Sequence, residues 1–434
     1  MKLHGKNYAI YLPAVNTSYA TTVANPLPQG RRFPSGLTPK DLMFWEPNNN
    51  WHYPYLLHSI GQYSVGTKPH SIFDKTSRSS STLIGDSGGF QIGRGTLKGM
   101  KHVKSRLMNP LHAVDSWCKE NETRKWIVDW LGQECDYAMT IDMPLWAVTK
   151  NGVDSPFHHC TSEQLIAMTV QNLKYIHSFS KSNSKWLNVV QGGPLFSDTL
   201  IWWDNVKWFR KGGWALAGSA GYAGGLYKML VVLMMMRDEG AFEEGQDWLH
   251  VLGVSTPFWA VVLTEIQNGL RRMNPNLKVS FDTSSPFQLG GRYEDVALSP
   301  VFDTTTSSWT IKTVKAPQLP SYAKADCKVQ FPHQQSPIGK VLMMNELCIH
   351  DDMWRPRSFD SLSNALLVNH NVWVYLDAFK QANDLVACRN VSRIPPEYLQ
   401  CLDFIKQLFS TSGDWKFELD KHQTLLNKVA PYCL

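Results

Sequence analysis

No apolar run in this chain of 434 residues is long enough to cross a bilayer. The longest lies around Leu226–Met236, where Tyr227 and Lys228 interrupt it, and it suits a buried helix instead. The first residues, Met1-Lys2-Leu3-His4-Gly5-Lys6, lack the apolar core of a secretory signal, so a cytoplasmic protein without a membrane partner is expected. Cysteine is sparse for this length: there are eight, with no Cys-x-x-Cys pair, which speaks against a disulfide framework. There is no internal repeat of fixed short period and no low-complexity tract. Charge is not strongly of one sign either. A formal net charge of +6 permits a nucleic-acid partner without requiring one. What the chain has in quantity is tryptophan, seventeen in all, mostly for the core, with a minority available to stack on bases or line a groove. The length suffices for one large domain with a smaller one, or for two middling domains.

The informative stretch is Leu83–Gln91, where a short apolar run stops at Asp86 and is followed by Ser87, Gly88, Gly89, Phe90 and Gln91. It reads as a buried strand whose C-terminal end delivers a carboxylate. The glycines permit close approach to the backbone, and Phe90 is suited to stacking on a flat ring. One such junction is equally an ordinary strand-to-loop transition, but similar junctions recur. Tyr137–Ile141 leads to Asp142, Trp186–Val190 to Gln191-Gly192-Gly193, and Trp214–Ala217 to Gly218-Ser219. Leu249–Leu252 leads to Gly253, and Leu277–Phe281 to Asp282. Helical periodicity lies between some of these runs, as over Ser162–Phe179 and Phe258–Leu270. An earlier strand is expected over Tyr8–Val15, followed by decorated loops up to about residue 80. Strand–helix alternation with polar strand tips predicts parallel α/β architecture. A closed (β/α)8 barrel, which gathers many tips into one mouth, is favoured over an open doubly wound sheet. The predicted division is a barrel core over residues 1–300 with loop insertions, and a mostly helical C-terminal subdomain over 301–434 that binds nucleic acid. An irregular boundary or a long insertion is expected over Asp303–Ser336, with helices over Ser358–Ala382 and Glu397–Phe409.

Three carboxylates, Asp86, Asp142 and Asp282, end strand-like runs, and in a barrel they would face one pocket. Paired carboxylates permit glycosidic chemistry, one as nucleophile and one as acid/base. Gln191 and the backbone around Gly218-Ser219 add donors and acceptors suited to a purine edge. The plain alternative is that each Asp caps a helix or bonds a loop. Arg94, Lys98, Lys101, Lys104 and Arg106, with His102 among them, form a basic stretch that could track phosphates or could be a solvated face. Arg271-Arg272, Arg355 and Arg357 are weaker versions of it. Cys348, His350 and His370, with Cys327 and His333 before them, are candidate zinc ligands, although their spacing matches no standard closed site.

Asp86-Ser87-Gly88-Gly89-Phe90-Gln91 resembles the signature of the tRNA-guanine transglycosylases, and the resemblance continues in order. Asp142 falls at the family's base-recognising Asp, and Gln191-Gly192-Gly193 resembles its Val-Gln-Gly-Gly element. Gly213–Gly218 resembles the run whose backbone reads the base, and His250–Val254 its Leu-Met-Gly-Val element. Phe281-Asp282 resembles the Phe-Asp that carries the nucleophile, and Leu367–Asn371 with Tyr375 the His-Asn segment whose His binds zinc. The match spans roughly Ser81 to Ala382. Two departures stand out. The family's Cys-x-Cys-x-x-Cys cluster is absent, and Ser285-Pro286-Phe287-Gln288, with Arg292 following, replaces Pro-Thr-Arg after the nucleophile. The base pocket is thus kept while the polynucleotide grip is altered, which is similar to the branch that acts on DNA, the phage-type 7-deazaguanine DNA transglycosylases.

The resemblance implies exchange of guanine in DNA for a free 7-deazaguanine, preferably 7-cyano-7-deazaguanine, giving modified DNA that resists restriction. Asp282 would be the nucleophile and Asp86 the general acid/base. Ser87, Gly88, Asp142, Gln191, Gly192, Gly218, Ser219 and Gly253 would hold the base, with Phe90 and Leu252 on its two faces. Arg292 and the Arg94–Arg106 stretch would hold phosphates. No cofactor is needed for the chemistry. A structural zinc on Cys348 and His370, with Cys327 or His350, is a further implication, as are a homodimer and, for a phage-encoded chain, residence in the host cytoplasm. Competing expectations are a tRNA-guanine transglycosylase of queuosine or archaeosine synthesis, a two-carboxylate barrel hydrolase, and a non-catalytic nucleic-acid-binding barrel.

Overall fold

Alternation of apolar side chains along eight short runs produces eight strands. They are β1 (Ile10–Val15), β2 (Tyr55–Ser59), β3 (Thr82–Asp86), β4 (Tyr137–Met139), β5 (Lys185–Gly192), β6 (Gly212–Gly218), β7 (Trp248–Val251) and β8 (Lys278–Thr283). In the computed structural model they pair in parallel in chain order, and β8 returns to β1, so the sheet is a closed barrel. The structure describes residues 7–25, 27, 31–78, 80–104, 106–179, 182–193, 195–305, 308–349, 359–411 and 413–431. Met1–Lys6, His350, Arg355 and Arg357 lie outside them. Among the described residues, no helix is long and apolar enough to cross a membrane.

The alternation sorts side chains into two apolar compartments. Leu12, Leu57, Ile84, Met139, Leu187, Val189 and Ala215 fill the barrel, while residues between them, such as Trp214, Leu216 and Phe281, pack outward. The strand starts seal the floor. The Tyr137 ring lies 4.3 Å from Trp248, and Tyr55 lies 6.4 Å from it on the other side. The amines of Lys185 and Lys278 sit 6.0 Å and 5.5 Å from the Tyr137 and Trp248 rings, covering them from the solvent side. These rings and amines cover the barrel interior at the strand starts, whereas Asp86 and Asp282 at the C-terminal strand ends keep partial exposure.

Most connections carry helices where periodicity predicts them. Ser162–Ser178 starts on a capping box made by Thr161 and Gln164, and Pro257–Leu270 is buried along most of its length. The apolar run at Leu226 lies in the helix Gly225–Asp238. Two elements differ from expectation. β2 lies within what reads as decorated loops. It is five residues long, ends in polar His58 and Ser59, and exists through its pairing with β1 and β3. The stretch expected to be irregular after Asp303 contains β10 (Ser308–Lys315), which pairs antiparallel with β9 (Asp295–Asp303). Residue 300, the expected domain boundary, lies inside that hairpin.

The C-terminal part is helical, and its longest helix, Ser361–Ala387, packs directly on the barrel. Phe379 touches Tyr11 of β1 and Phe281 of β8 at ring distances of 5.0 and 5.2 Å. Three consecutive buried polar residues on this helix face three ways. Asn369 accepts from Trp51 Nε1 at 2.9 Å and donates to the Asp41 and Leu42 carbonyls and the Tyr19 hydroxyl. Asn371 accepts from the Ala297 amide at 2.7 Å and donates to the Asp295 carbonyl at 2.9 Å. His370 lies between them and binds the Ser336 hydroxyl and the Ala297 carbonyl. Asn369→Leu removes the partners of several buried groups at once. It is expected to lower unfolding stability by on the order of 3 kcal/mol, measured by urea denaturation.

Candidate active site

Each strand tip at the open end contributes through a local feature of the sequence. β3 ends at Asp86, and the chain turns at Gly88 with φ +80°. A Cβ at Gly88 would stand 2.6 Å from the Gly61 Cα, so only glycine fits both the turn and the contact. A Cβ at Gly89 would stand 2.6 Å from Asp142 Oδ1, so its absence lets the helix Gly89–Arg94 start directly against that carboxylate. Ser87 is buried and donates to the Thr140 carbonyl at 3.1 Å, tying the exit of β3 to that of β4.

Asp142 is buried and accepts from Gln191 Nε2 at 2.6 Å. Burial pushes its carboxyl up to about 7. The Gln191 amide pulls it down and the charge of Asp86 pushes it further up. The other amide atom, Gln191 Oε1, is buried without a hydrogen-bond partner among the described residues, and it lies 2.8 Å from where a Cβ at Gly218 would be. Gly218 has φ +56°, so neither the conformation nor the space admits a side chain. The next residue, Ser219, donates to the Gly193 carbonyl at 2.6 Å and holds the β5 and β6 exits together beside Gly192.

Asp282 enters from β8, opposite Leu12 of β1. Its Oδ1 accepts from the Gly253 amide at 3.0 Å and faces His250 Nε2 at 3.2 Å, with 17% of the side chain exposed. Asp86 is half-buried. Burial raises its carboxyl above the ordinary range, the Ser59 hydroxyl and Gly88 amide pull it down, and the Asp282 charge raises it. Asp86 thus interacts electrostatically with both other strand-tip carboxylates. Such neighbouring carboxylates disfavour full ionisation of the group, and Asp86 and Asp142 are the two pushed toward holding a proton.

His250 opens the His250–Val254 element in the sequence, but no role was expected of it. It sits on β7 between Trp248 and Leu252, the inward-facing alternation of that strand, and is fully buried at 0% exposure. A histidine at an inward position two residues before a strand tip is the signal that would have found it. Its Nδ1 lies 2.9 Å from Ser280 Oγ, which accepts from Trp248 Nε1 at 2.7 Å.

The remaining candidates are more spread out. Leu252 packs half-buried on the top of the barrel interior. Phe90 is 58% exposed, and its ring leans on Trp146 at 5.4 Å. The Arg94 guanidinium lies over both rings, 4.8 Å from Trp146 and 5.6 Å from Phe90. Trp146, on the loop after β4, is a residue the sequence did not single out. Lys98, Lys104 and Arg106 are exposed, and Lys101 pairs with Glu122 at 2.7 Å. Arg292, on a π-helical turn after β8, lines a separate cavity of 460 Å³ with Asn16 and Asn364.

Among the described zinc candidates, His370 has both ring nitrogens engaged by other groups. His370 Nε2 meets the Ala297 carbonyl at 2.9 Å and Nδ1 meets Ser336 Oγ at 2.8 Å, so neither ring nitrogen is free. The Ala297 carbonyl can only accept, so Nε2 carries the proton and Nδ1 accepts from the Ser336 hydroxyl, whose oxygen in turn accepts from the Gly339 amide. Burial lowers the His370 imidazole to about 4, which keeps it neutral. Cys348 is buried and approaches the Pro317 carbonyl at 4.0 Å, and Cys327 is partly buried. Among the described residues, no three His, Cys, Asp or Glu side chains are grouped as a metal requires.

The Asp142 environment sets a pH signature. Its folded-state value of about 7 lies above that of an unfolded aspartate, so the folded state keeps a proton that the unfolded chain has lost. That contribution to stability is full near pH 4 and is lost as pH rises to 7. Asp142→Asn removes it. The variant is expected to gain on the wild type across this window, by at most about 4 kcal/mol, and the difference to level off above pH 7 in denaturation curves. No protein-family model matches the chain, and no curated protein matches it either.

Proposed function

We propose that this chain is a base-exchange transglycosylase that replaces guanine in DNA with a free 7-deazaguanine. The observation that carries the reading is the differentiated set of strand-tip carboxylates. Asp282 has one oxygen held by two groups, Asp86 is biased toward its protonated form, and Asp142 is locked to Gln191. In the exchange, an Asp282 oxygen attacks C1′ of a deoxyguanosine and the C1′–N9 bond breaks. Its electron pair leaves with guanine, which takes a proton from Asp86. The Asp86 carboxylate then takes the N9 proton of the incoming base. N9 attacks C1′, and the ester bond breaks with its pair returning to Asp282. One glycosidic bond replaces another, so no external energy source is required.

The remaining residues suit recognition of a purine with a donor-rich edge. Asp142 offers a buried carboxylate and Gln191 an unpartnered acceptor, both matched to the ring N–H and exocyclic amine of a guanine-like base. The exposed Phe90 ring, backed by Trp146 and Arg94, suits stacking on a base drawn out of a polynucleotide. Lys98, Lys104 and Arg106 are exposed on the stretch that follows Phe90 and supply cations for phosphates, while Arg292 would meet the polynucleotide from its separate cavity. The structural zinc expected from the resemblance is not needed for any of these steps.

The reading is tested by expressing the protein in cells that make 7-deazaguanines and analysing DNA and tRNA nucleosides separately by mass spectrometry. A modified deoxynucleoside is expected, and modification confined to tRNA would reject the DNA assignment. With purified protein, Asp282→Ala is expected to abolish a denaturation-resistant adduct with guanine-containing DNA. An adduct of undiminished yield would remove Asp282 as nucleophile.

A further inference from the structure

We infer that His250 is a positioning residue for Asp282, fixed in its Nε2–H tautomer by a hydrogen-bond chain from the barrel floor, and that it selects Oδ2 as the attacking oxygen. The inference rests on the reading of Asp282 as the nucleophile. The chain has a direction that follows from what each group can do. The Trp248 indole can only donate, so Ser280 Oγ accepts at 2.7 Å. Ser280 has a single hydroxyl proton, and His250 Nδ1 lies 2.9 Å from its oxygen. The Asp282 carboxylate can only accept, so Nε2, which faces its Oδ1 at 3.2 Å, carries the ring proton, and the neutral ring then accepts the Ser280 hydroxyl proton at Nδ1. The opposite neutral tautomer would turn a nitrogen lone pair on the carboxylate.

The consequence lies at the carboxylate. Oδ1 receives both His250 Nε2–H and the Gly253 amide, whereas Oδ2 takes no hydrogen bond from the described residues. The two donors anchor one oxygen and leave the other to bond to C1′. When the ester forms through Oδ2, Oδ1 becomes its carbonyl oxygen and keeps both donors. When the incoming base displaces Asp282, the returning negative charge develops against groups already in place. The surroundings make this a built feature. His250 and Ser280 have no exposure, in an interior otherwise filled by Leu12, Leu57, Ile84 and Leu187, where unpaired polar groups are costly.

The test measures the rate of covalent adduct formation with a guanine-containing DNA oligonucleotide in wild type, His250→Phe, His250→Gln and Ser280→Ala. His250→Phe keeps a ring but loses the donor, and its rate at saturating DNA is expected to fall about 100-fold, with half-saturation unchanged. His250→Gln can present an N–H near the Nε2 position and is expected to recover most of that loss. A His250→Phe rate equal to wild type, or no recovery in His250→Gln, overturns the inference alone. A wild-type protein that forms no adduct overturns the nucleophile reading and the inference with it. Nitrogen-15 NMR of the imidazole gives a readout independent of activity. A protonated Nε2 and bare Nδ1 are expected in wild type, with protonation shifting toward Nδ1 in Ser280→Ala. A wild-type imidazolium, a wild-type Nδ1–H ring, or an unchanged pattern in Ser280→Ala overturns the relay.

Discussion

The return of β8 onto β1 is the constraint on which the site depends. The register that sets Leu12 beside Asp282 fixes the height of that carboxylate. Ser59 beside Asp86 does the same for the tip of β3, and Gln191 beside Ala217 for β5. In a strand, a slip of one residue would send Asp282 to the helix-covered outer side and bring Phe281 inside. The apolar side chains of both compartments resist that slip, so hydrophobic sorting far below the mouth holds the polar groups in place. The Tyr55, Tyr137 and Trp248 rings cover the opposite end of the barrel interior.

Within that mouth, chemically alike carboxylates are made unlike by their surroundings. Asp142 is buried with one strong donor, and burial wins, pushing it up to about 7. Asp86 is also pushed up, with a neighbouring carboxylate adding to the effect. Asp282 keeps partial exposure and two groups on one oxygen. At Asp86 and Asp142 desolvation and hydrogen bonding compete, and desolvation is the larger effect at both. Gly88, Gly89 and Gly218 matter for this reason. Each omits a Cβ where a carboxylate, an amide or a neighbouring strand tip must come within contact distance.

The strand tips were legible in the sequence because a short apolar run followed by Asp, Gln or Gly is a local pattern. Seven of the eight barrel strands carry it or a plain apolar run, and Leu83–Gln91 is the clearest. β2 was not legible, because His58 and Ser59 break its apolar pattern and its neighbours β1 and β3 supply the hydrogen bonds. The β9–β10 hairpin was hidden by its half-exposed faces and by a Thr- and Ser-rich turn that reads as loop. His250 escaped for a different reason. The histidine itself was visible, but its significance depends on Ser280 and Trp248, whose approach only the β7–β8 register reveals. Local composition showed where chemistry could be, whereas pairing decides which side chains act on one another.

The same distinction explains the C-terminal helix. The Asn369-His370-Asn371 segment invites a metal reading, because histidine near cysteine is a ligand pattern in sequence terms. In the fold the three side chains point in different directions, and each meets polar groups from another part of the chain. Asn369 holds the turn before β2, His370 holds the Ser336 loop, and Asn371 holds the hairpin that follows β8. Each of these segments, the first two irregular and the third the start of an edge strand, has backbone groups that meet these side chains. A helix that buries three polar side chains at consecutive positions satisfies them from one rigid support. Because that helix also packs on Tyr11 and Phe281, it connects these loops to the strands that deliver Asp282. A coordinated ion would anchor one locus, whereas this hydrogen-bonded segment anchors three.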